Sequence, residues 1–531
     1  MKLNADAKII GFILLLAVLF AVWAGPHREG DGVSYYMMTS SLAKDGDLIL
    51  DGHDEARWNK ENFEGIPVGV YVRFDDKGHM RYAKPALYPL IAAPFLLVLG
   101  RAGLVVLNGL MLGLCVVFAY FSLRRYINRL PVFFISTGFF AFSFIPAYIS
   151  WMTPDIFLFF SCSLCVYLLY ADRPEACALI IGLIAAEKPA FLVMLVPLIA
   201  FVASGRKPRQ LIKTLMICFL GTVLVLLINF YFLKTFYAYS DPKYMVSSGM
   251  APHTLEELRA RLALAPAELL DMRFNSWPLF IRNIINFSAG RFSGMLWYGF
   301  PAVVCVFIYL WRRRMLTPME KARNDSILFA AALLITILLF FRPLNYFGGL
   351  GFWGTRYFYL FPVLLLPAAF KGMKRPWLVF LLFLPAFWVS SQVLSSSLSV
   401  KAWGSSSWRE KNVLFFSVHT CKAPLRYAPL EINTIENLRV YHLDLGEGLT
   451  LYAPLGVKKD PGGLLVFEKG QEMVFLGRKK QTGLALQTTA GEFVLRPVLV
   501  LGDRTGQEQK AFFYFKPGQD LKLTAVKPLL S

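Results

Sequence analysis

Charge is what this sequence has least of. Only 17% of its 531 residues are Asp, Glu, Lys or Arg, while 56% are hydrophobic. That excludes an ordinary water-soluble globule, in which about a quarter of the residues are charged. Acid is scarcer than base, 35 residues against 55. The Lys and Arg residues fall in short clusters between apolar runs, the pattern of cytoplasmic membrane loops and not of a nucleic-acid-binding surface. Cysteine offers no framework: of the seven, Cys115, Cys162, Cys165, Cys177, Cys218 and Cys305 lie within apolar runs. Cys421 stands alone in the tail, so neither a disulfide scaffold nor a metal-spaced set is expected. No internal repeat is visible, which weighs against a transporter built of two related halves. No small-residue cleavage site follows the first apolar run; His27-Arg28-Glu29 comes instead, so the run reads as an uncleaved helix.

What is present is a series of apolar runs near 8–24, 104–122, 131–150, 155–170, 176–187, 189–203, 214–234, 294–311, 325–341, 356–370 and 376–394. They predict an all-α polytopic membrane protein with about eleven transmembrane helices over residues 1–394, several of them shorter than the usual ~20 residues. A further run, 84–100, is punctuated by Pro85, Pro89 and Pro94 and reads as a re-entrant or interfacial helix. Charge tests that choice. If 84–100 does not cross, the N-terminus is cytoplasmic, and so are the loops RRYINR, ADRPE, GRKPRQLIK, WRRRMLTPMEKAR and KGMKRP, as the positive-inside rule requires. If it crosses, all of them move outside. The first arrangement is therefore expected, in a cytoplasmic (inner) membrane.

It leaves two long loops outside, 25–83 and 235–293, together with the tail. Within the second loop, HTLEELRARLALAPAELL and PLFIRNIINF carry apolar residues at helical spacing, and read either as membrane-surface helices or as a packed cap. Residues 395–531 change period: YHLDLGEGLTLYAPL, GLLVFEKGQEMVFLG and KAFFYFKPGQDLKLTAV alternate apolar and polar residues between turns. A soluble extracytoplasmic β-sandwich or jelly roll is expected there. It carries no catalytic constellation; a carbohydrate-binding or docking role and a structural lid both remain open.

Ionisable groups near the bilayer are costly and point to function. The topology gathers five on the outer face: Asp31 just after the first helix, Lys84 in YAKPALYPL, Asp155 in WMTPDIFLFF, Lys188 in AAEKPAF and Arg356 in FGGLGFWGTRY. Each also has a plain reading. Asp155 begins a helix, where an acid suits the dipole. Lys84 and Lys188 suit snorkelling anchors, Arg356 an aromatic belt, and Asp31, flanked by glycines, a turn.

Taken together, an acid in the first outer loop, a later KPxLY segment, an acid at the outer start of the fourth helix and a Lys-Pro turn between the fifth and sixth resemble a known family. It is that of the GT-C fold glycosyltransferases that use lipid-phosphate-linked sugars, among them protein O-mannosyltransferases and the lipid A aminoarabinose transferase. The resemblance covers roughly residues 8–370; the stretches DGVSYYMMTSSLAKDGDL and GGLGFWGTRY look like a bacterial subgroup of these enzymes. It implies a polyprenyl-phosphate sugar donor and an extracytoplasmic glycolipid, polysaccharide or protein acceptor. Asp31 matches the family's catalytic acid, acting as general base, and Lys84 its phosphate-contacting lysine. To these the residues add Arg356 as a second phosphate ligand, Asp155 to orient the acceptor or a cation, and Lys188 as a further cavity group. Glu29, Tyr35 and Tyr357 are candidates for lining the cavity or meeting the acceptor. No cofactor is required; a divalent cation is open, but beyond Glu29, Asp31 and Asp155 no outer-loop ligand motif is evident. Inversion by single displacement is expected.

Three other classes remain. A transporter or flippase of lipid-linked substrates predicts charges paired at the midplane. A polysaccharide polymerase or ligase predicts an outer loop rich in Arg and His, and 235–293 offers Arg259, Arg261, Arg273, Arg282 and Arg291 but only His253. A receptor with the β domain as sensor is the third.

Overall fold

The computed structural model describes residues 5–26, 31–60, 70–204, 208–238, 244–245, 275–348, 354–399, 428–437, 441–446, 448–453, 458–460, 464–469, 471–477, 481–502 and 509–530. They are mostly helical, with β-structure concentrated toward the C-terminus. The chain divides into two compact units, the first formed by Met1–Leu269, Gly299–Thr336 and Phe358–Phe387, the second by Leu270–Tyr298, Ile337–Tyr357 and Trp388–Ser531. The end of the loop 235–293 and the segment carrying Arg356 cluster with the β-rich tail.

The first unit contains α1 (Ala5–Ala24), α2 (Asp31–Lys44), α3 (Gly52–Lys60), strands β1 (Tyr71–Phe74) and β2 (Met80–Tyr82), then α4 (Leu87–Leu99), α5 (Ala102–Arg124), α6 (Arg129–Ala141), α7 (Asp155–Tyr170), α8 (Pro174–Glu187), α9 (Leu195–Ala203), α10 (Pro208–Leu233) and β3 (Tyr244–Met245). Eleven apolar runs do not become eleven long helices. Among the described residues, four are long and apolar enough to cross a bilayer: α1, α5, α10 and Pro318–Phe341. The expected count is corrected by local chemistry. The run 131–150 stops at Ala141, where the Ser143 hydroxyl donates to Phe140 O at 2.8 Å and a 3₁₀ turn, Ile145–Tyr148, follows. Pro189 ends α8 and opens another 3₁₀ segment. The run 356–370 becomes two 3₁₀ turns, Phe361–Leu365 and Pro367–Phe370, joined by Leu366 at φ 50°. At 13 residues, α4 is about 20 Å long, short of a ~30 Å hydrocarbon core.

Small residues bring the long helices together. A side chain on Gly109 of α5 would meet the Ala21 methyl at 2.6 Å and Ala17 O at 2.9 Å on α1. Gly182 of α8 lies against α10, where an added Cβ would be 2.0 Å from Cys218 O, and Thr222 Oγ1 donates to Gly182 O at 3.1 Å. Such contacts are how helices pack in lipid, where burying apolar surface gives little drive between them. Opposite these contacts α10 exposes Met216, Phe219, Leu220, Leu224 and Leu227, a face suited to acyl chains.

The basic loops meet at one end of this unit. Asp6 pairs with Arg129 at 3.0 Å and accepts from Tyr120 Oη at 2.7 Å. Arg125 donates to Tyr170 O, and the Tyr170 hydroxyl donates to Asn324 at 2.6 Å. Lys371 pairs with Glu320 at 2.9 Å, and Lys213 lies 3.6 Å from Glu175. At the far ends of α1, α7 and α8 stand Asp31, Asp155 and Glu187. There β1 pairs with β2 on one edge and β3 on the other, Val72 facing both Tyr82 and Tyr244. The two long loops are thus joined in one antiparallel sheet. Arg73 and Arg81 fasten it to α10 by donating to Leu233 O and Phe232 O, carbonyls that the helix end leaves unpaired.

The second unit holds the helix Trp277–Ala289, whose N-cap Ser276 hydroxyl accepts from Leu279 N. It exposes Trp277, Ile281 and Ile285 and buries Asn283 and Asn286. PLFIRNIINF is thus helical, as both the membrane-surface and the packed-cap reading require; HTLEELRARLALAPAELL lies outside the described residues. The tail forms two five-stranded antiparallel sheets, in spatial order β10-β9-β13-β7-β6 and β11-β12-β8-β5-β4. The strands are β4 (Tyr441–Asp444), β5 (Leu449–Ala453), β6 (Lys458–Lys459), β7 (Leu465–Phe467), β8 (Met473–Gly477), β9 (Gln481–Thr488), β10 (Gly491–Leu495), β11 (Leu499–Gly502), β12 (Gln509–Phe515) and β13 (Leu521–Leu530). Leu451, Phe475 and Phe513 of one sheet share a core with Phe467, Leu486 and Leu523 of the other, which makes a sandwich.

Buried polar groups tie the sandwich to the segment after the surface helix. The Glu431 carboxylate, fully buried, accepts from Phe292 N and Ser293 N, both at 2.8 Å. Gly290 leaves room for it, since a Cβ there would sit 2.4 Å from Glu431 Oε1. Arg291, also buried, pairs with Glu472 at 2.6 Å and donates to Ala428 O at 3.1 Å.

Burial outweighs these hydrogen bonds and pushes the Glu431 carboxyl up to about 7. Between its unfolded value near 4.5 and about 7, the folded chain keeps a proton that the unfolded chain releases, so stability falls as pH rises through that window. The full effect is on the order of 3 kcal/mol. Asp54 in the first unit, also raised to about 7 by burial, adds a slope of the same sign. Thermal unfolding of Glu431→Gln against the parent from pH 4.5 to 8 isolates the Glu431 part. The variant should show a shallower slope of the same sign, and an unchanged slope contradicts this assignment.

Candidate functional site

The face of α2 that carries Asp31, Ser34 and Tyr35, three and four residues apart, turns toward β1 and α4. Asp31 in the first turn suits the helix dipole. The Ser34 hydroxyl accepts from Tyr71 N at 2.8 Å, which fixes β1 against α2. Lys84 Nζ then lies 3.0 Å from Asp31 Oδ1 and 3.6 Å from the centroid of the Tyr71 ring. The ammonium is thus held by a carboxylate and an aromatic face at once. The lysine side chain is 8% exposed and the aspartate 20%, so the pair is sheltered but reachable through the carboxylate.

Lys84 is held in place by the helix that follows it. Pro85 disfavours a helical conformation at Lys84, and α4 begins at Leu87 with unpaired N–H groups. The Ala86 amide donates to Asn229 Oδ1 of α10 at 3.1 Å. The Leu87 and Tyr88 amides face the carboxylate of Glu187, without full hydrogen-bond geometry. Glu187 is completely buried. One turn beyond Lys84, the Tyr88 ring meets Tyr35 edge-on at 5.8 Å, and its hydroxyl donates to Asn108 at 3.1 Å. Asn108 in turn donates to Ile149 O and Trp151 O. Tyr88 also feels the charges of Asp155 and Glu187, which places all three in one neighbourhood.

Of the sequence-predicted residues, Asp31 and Lys84 therefore meet directly, and Tyr35, one turn along α2 from Asp31, packs on Tyr88. Asp155 joins through Tyr88 but is buried, with Thr153 Oγ1 donating to it at 2.6 Å. Its burial and this bond suit holding the start of α7 more than touching an acceptor. Lys188 caps α8, half-exposed, beside Glu187. Arg356 and Tyr357 belong to the second unit, and Glu29 lies outside the described residues. Among the described residues no three His, Cys, Asp or Glu side chains are grouped to hold a metal ion, so the open divalent cation has no ligand set there. Glu187 and Asn229 were not anticipated. One signal was available for Glu187: an acid in the last turn of an apolar helix opposes the dipole and needs a reason to be there.

Glu187→Ala should leave the first amides of α4 facing an apolar gap, destabilising the protein by about 1–3 kcal/mol. Glu187→Gln keeps an acceptor oxygen and should recover most of the loss. Paired melting curves decide; equal losses in both variants would show that the charge, and not the acceptor, is what matters.

Compared with known proteins, the chain matches no family profile, no curated protein and no solved structure.

Proposed function

We propose that this chain is a membrane glycosyltransferase of GT-C type that moves a sugar from a polyprenyl phosphate to an acceptor outside the cytoplasmic membrane. The observation that carries the reading is the sheltered 3.0 Å pair of Asp31 and Lys84, at the end of the first unit opposite the basic loops. With those loops cytoplasmic, the N-terminus is inside and the pair faces the outer leaflet, where a lipid-linked donor keeps its head group.

The chemistry follows from the two charges. The acceptor oxygen bonds to the anomeric carbon as the carbon–oxygen bond to phosphate breaks. The acceptor proton passes to Asp31, and the electron pair left on the phosphate oxygen is held by Lys84. At rest the two groups neutralise each other, so substrate must come between them, the hydroxyl to the carboxylate and the phosphate to the ammonium. The acceptor is a glycolipid, a polysaccharide or a protein. The test supplies radiolabelled polyprenyl-phosphate sugars to membranes containing the protein. Label should leave the lipid carrier and appear in a second product, and a carrier that stays intact with every sugar and acceptor tried would sink the reading.

A further inference from the structure

We propose that Arg323, at the end of the first unit where the basic loops meet, holds the phosphate group of an anionic phospholipid. The residue belongs to the helix Pro318–Phe341. Its guanidinium carbon lies over two rings, 4.7 Å from the centroid of Tyr170 at the end of α7 and 4.6 Å from that of Phe201 in α9. Arg323 is only 8% exposed. Its Nε is buried with no acceptor, and among the described residues no carboxylate pairs with it. A cation taken so far out of water is costly without an anion, and aromatic faces offset only part of that cost.

The surroundings have no anion to spare. In the same helix the Glu320 carboxylate is taken by Lys371 at 2.9 Å and Thr317 N at 3.0 Å, and that of Asp325 by Arg313 and the Tyr309 hydroxyl, both at 2.6 Å. The carbonyl end of α7 is occupied too, because Arg125 donates to Tyr170 O. Asn324 Nδ2, next to Arg323, is a second buried donor without an acceptor. The charges that Tyr126 feels most are those of Glu320, Arg323, Lys371 and Arg125, one acid against three cations. The platform is also set before a ligand arrives: the Tyr170 hydroxyl donates to Asn324 Oδ1 at 2.6 Å, and its ring meets Tyr126 edge-on at 6.4 Å. Little ordering is then left to oppose binding, and the planar fork suits two phosphate oxygens.

A phospholipid headgroup and free inorganic phosphate share this chemistry. The lipid is favoured because Met319 and Phe329 of the same helix and Ile199 of α9 are exposed apolar side chains, suited to the acyl chains beside a headgroup. With the basic loops cytoplasmic, that headgroup lies in the inner leaflet, whose anionic lipids are recognised by basic pockets between helices. The inference concerns lipid binding and does not rest on glycosyl transfer.

The full-length protein in maltoside micelles is titrated with dioctanoyl phosphatidylglycerol, dioctanoyl phosphatidylcholine and sodium phosphate, and bound lipid is counted by native mass spectrometry. Phosphatidylglycerol should bind about tenfold or more tightly than phosphatidylcholine. Arg323→Gln should erase that preference, and Arg323→Lys, which keeps a point charge but not the fork, should reduce it by a few-fold. Arg314→Gln, at an exposed arginine of the preceding loop, should leave it unchanged. Equal affinity of the parent protein for the two lipids overturns the proposal. So does parental preference in Arg323→Gln, or in Arg323→Lys if only that variant keeps the parental melting temperature. A loss in Arg314→Gln as large as in the Arg323 variants marks a diffuse basic surface and also overturns it. Competition by sodium phosphate against phosphatidylglycerol assigns the site to the free anion and removes the lipid; failure to compete supports the lipid.

Discussion

Asp31→Asn should abolish donor turnover, by about 10²–10⁴-fold, while the protein accumulates in membranes as the parent does. The substitution is nearly isosteric, and the asparagine oxygen still accepts from the Lys84 ammonium that now sits 3.0 Å away. Position is kept and only proton uptake is lost. Lys84→Ala should cost a comparable amount, about 10²–10³-fold, for another reason: the departing phosphate loses the ammonium proposed to stabilise it. It also strips a sheltered carboxylate of its partner, so its melting temperature should fall where that of Asp31→Asn holds. That contrast separates chemistry from folding. Near-parental turnover in a well-folded Asp31→Asn would remove the base from the mechanism, whatever Lys84→Ala does.

Gly182→Val should leave little or no folded protein. The glycine touches the backbone of α10, with a notional Cβ 2.0 Å from Cys218 O, and Gly221 makes the reciprocal approach to Leu179 O at 3.0 Å. A carbonyl is not a flexible neighbour, so α8 and α10 must move apart. Overpacking ordinarily costs about 1–3 kcal/mol, and here the separation also opens the Thr222 hydroxyl bond to Gly182 O. The damage extends beyond packing, because α8 ends in Glu187 and α10 carries Asn229, the two side chains that meet the start of α4. Whatever Gly182→Val protein folds should therefore be inactive as well. Gly11→Val, at an open position on α1 with nothing within 4 Å of a Cβ, is the matched control. Fluorescence size-exclusion of detergent extracts reads both; equal yields from the two variants would refute the close approach.

The contrast between these two experiments reflects what a sequence exposes. Asp31 and Lys84 are 53 residues apart and were paired through short motifs whose order and sidedness agreed. The strands of the tail were legible because alternation is a local signal. The number of long helices was not, since hydropathy sums over a window and does not register Pro189 or the Ser143 hydroxyl ending a helix within it. The tie between the tail and the segment after the surface helix was not legible either. Glu431 holds amides nearly 140 residues upstream, and an isolated glutamate among apolar residues gives no hint of that.

Asn229 has a consequence for the lipid environment. It sits near one end of a 26-residue helix, about 39 Å long, long enough to span a ~30 Å apolar layer and to lean within it. A thicker or thinner bilayer changes that lean. Through its amide the same residue grips the backbone two positions after Lys84, so the height of the ammonium above the acyl chains follows the tilt of α10.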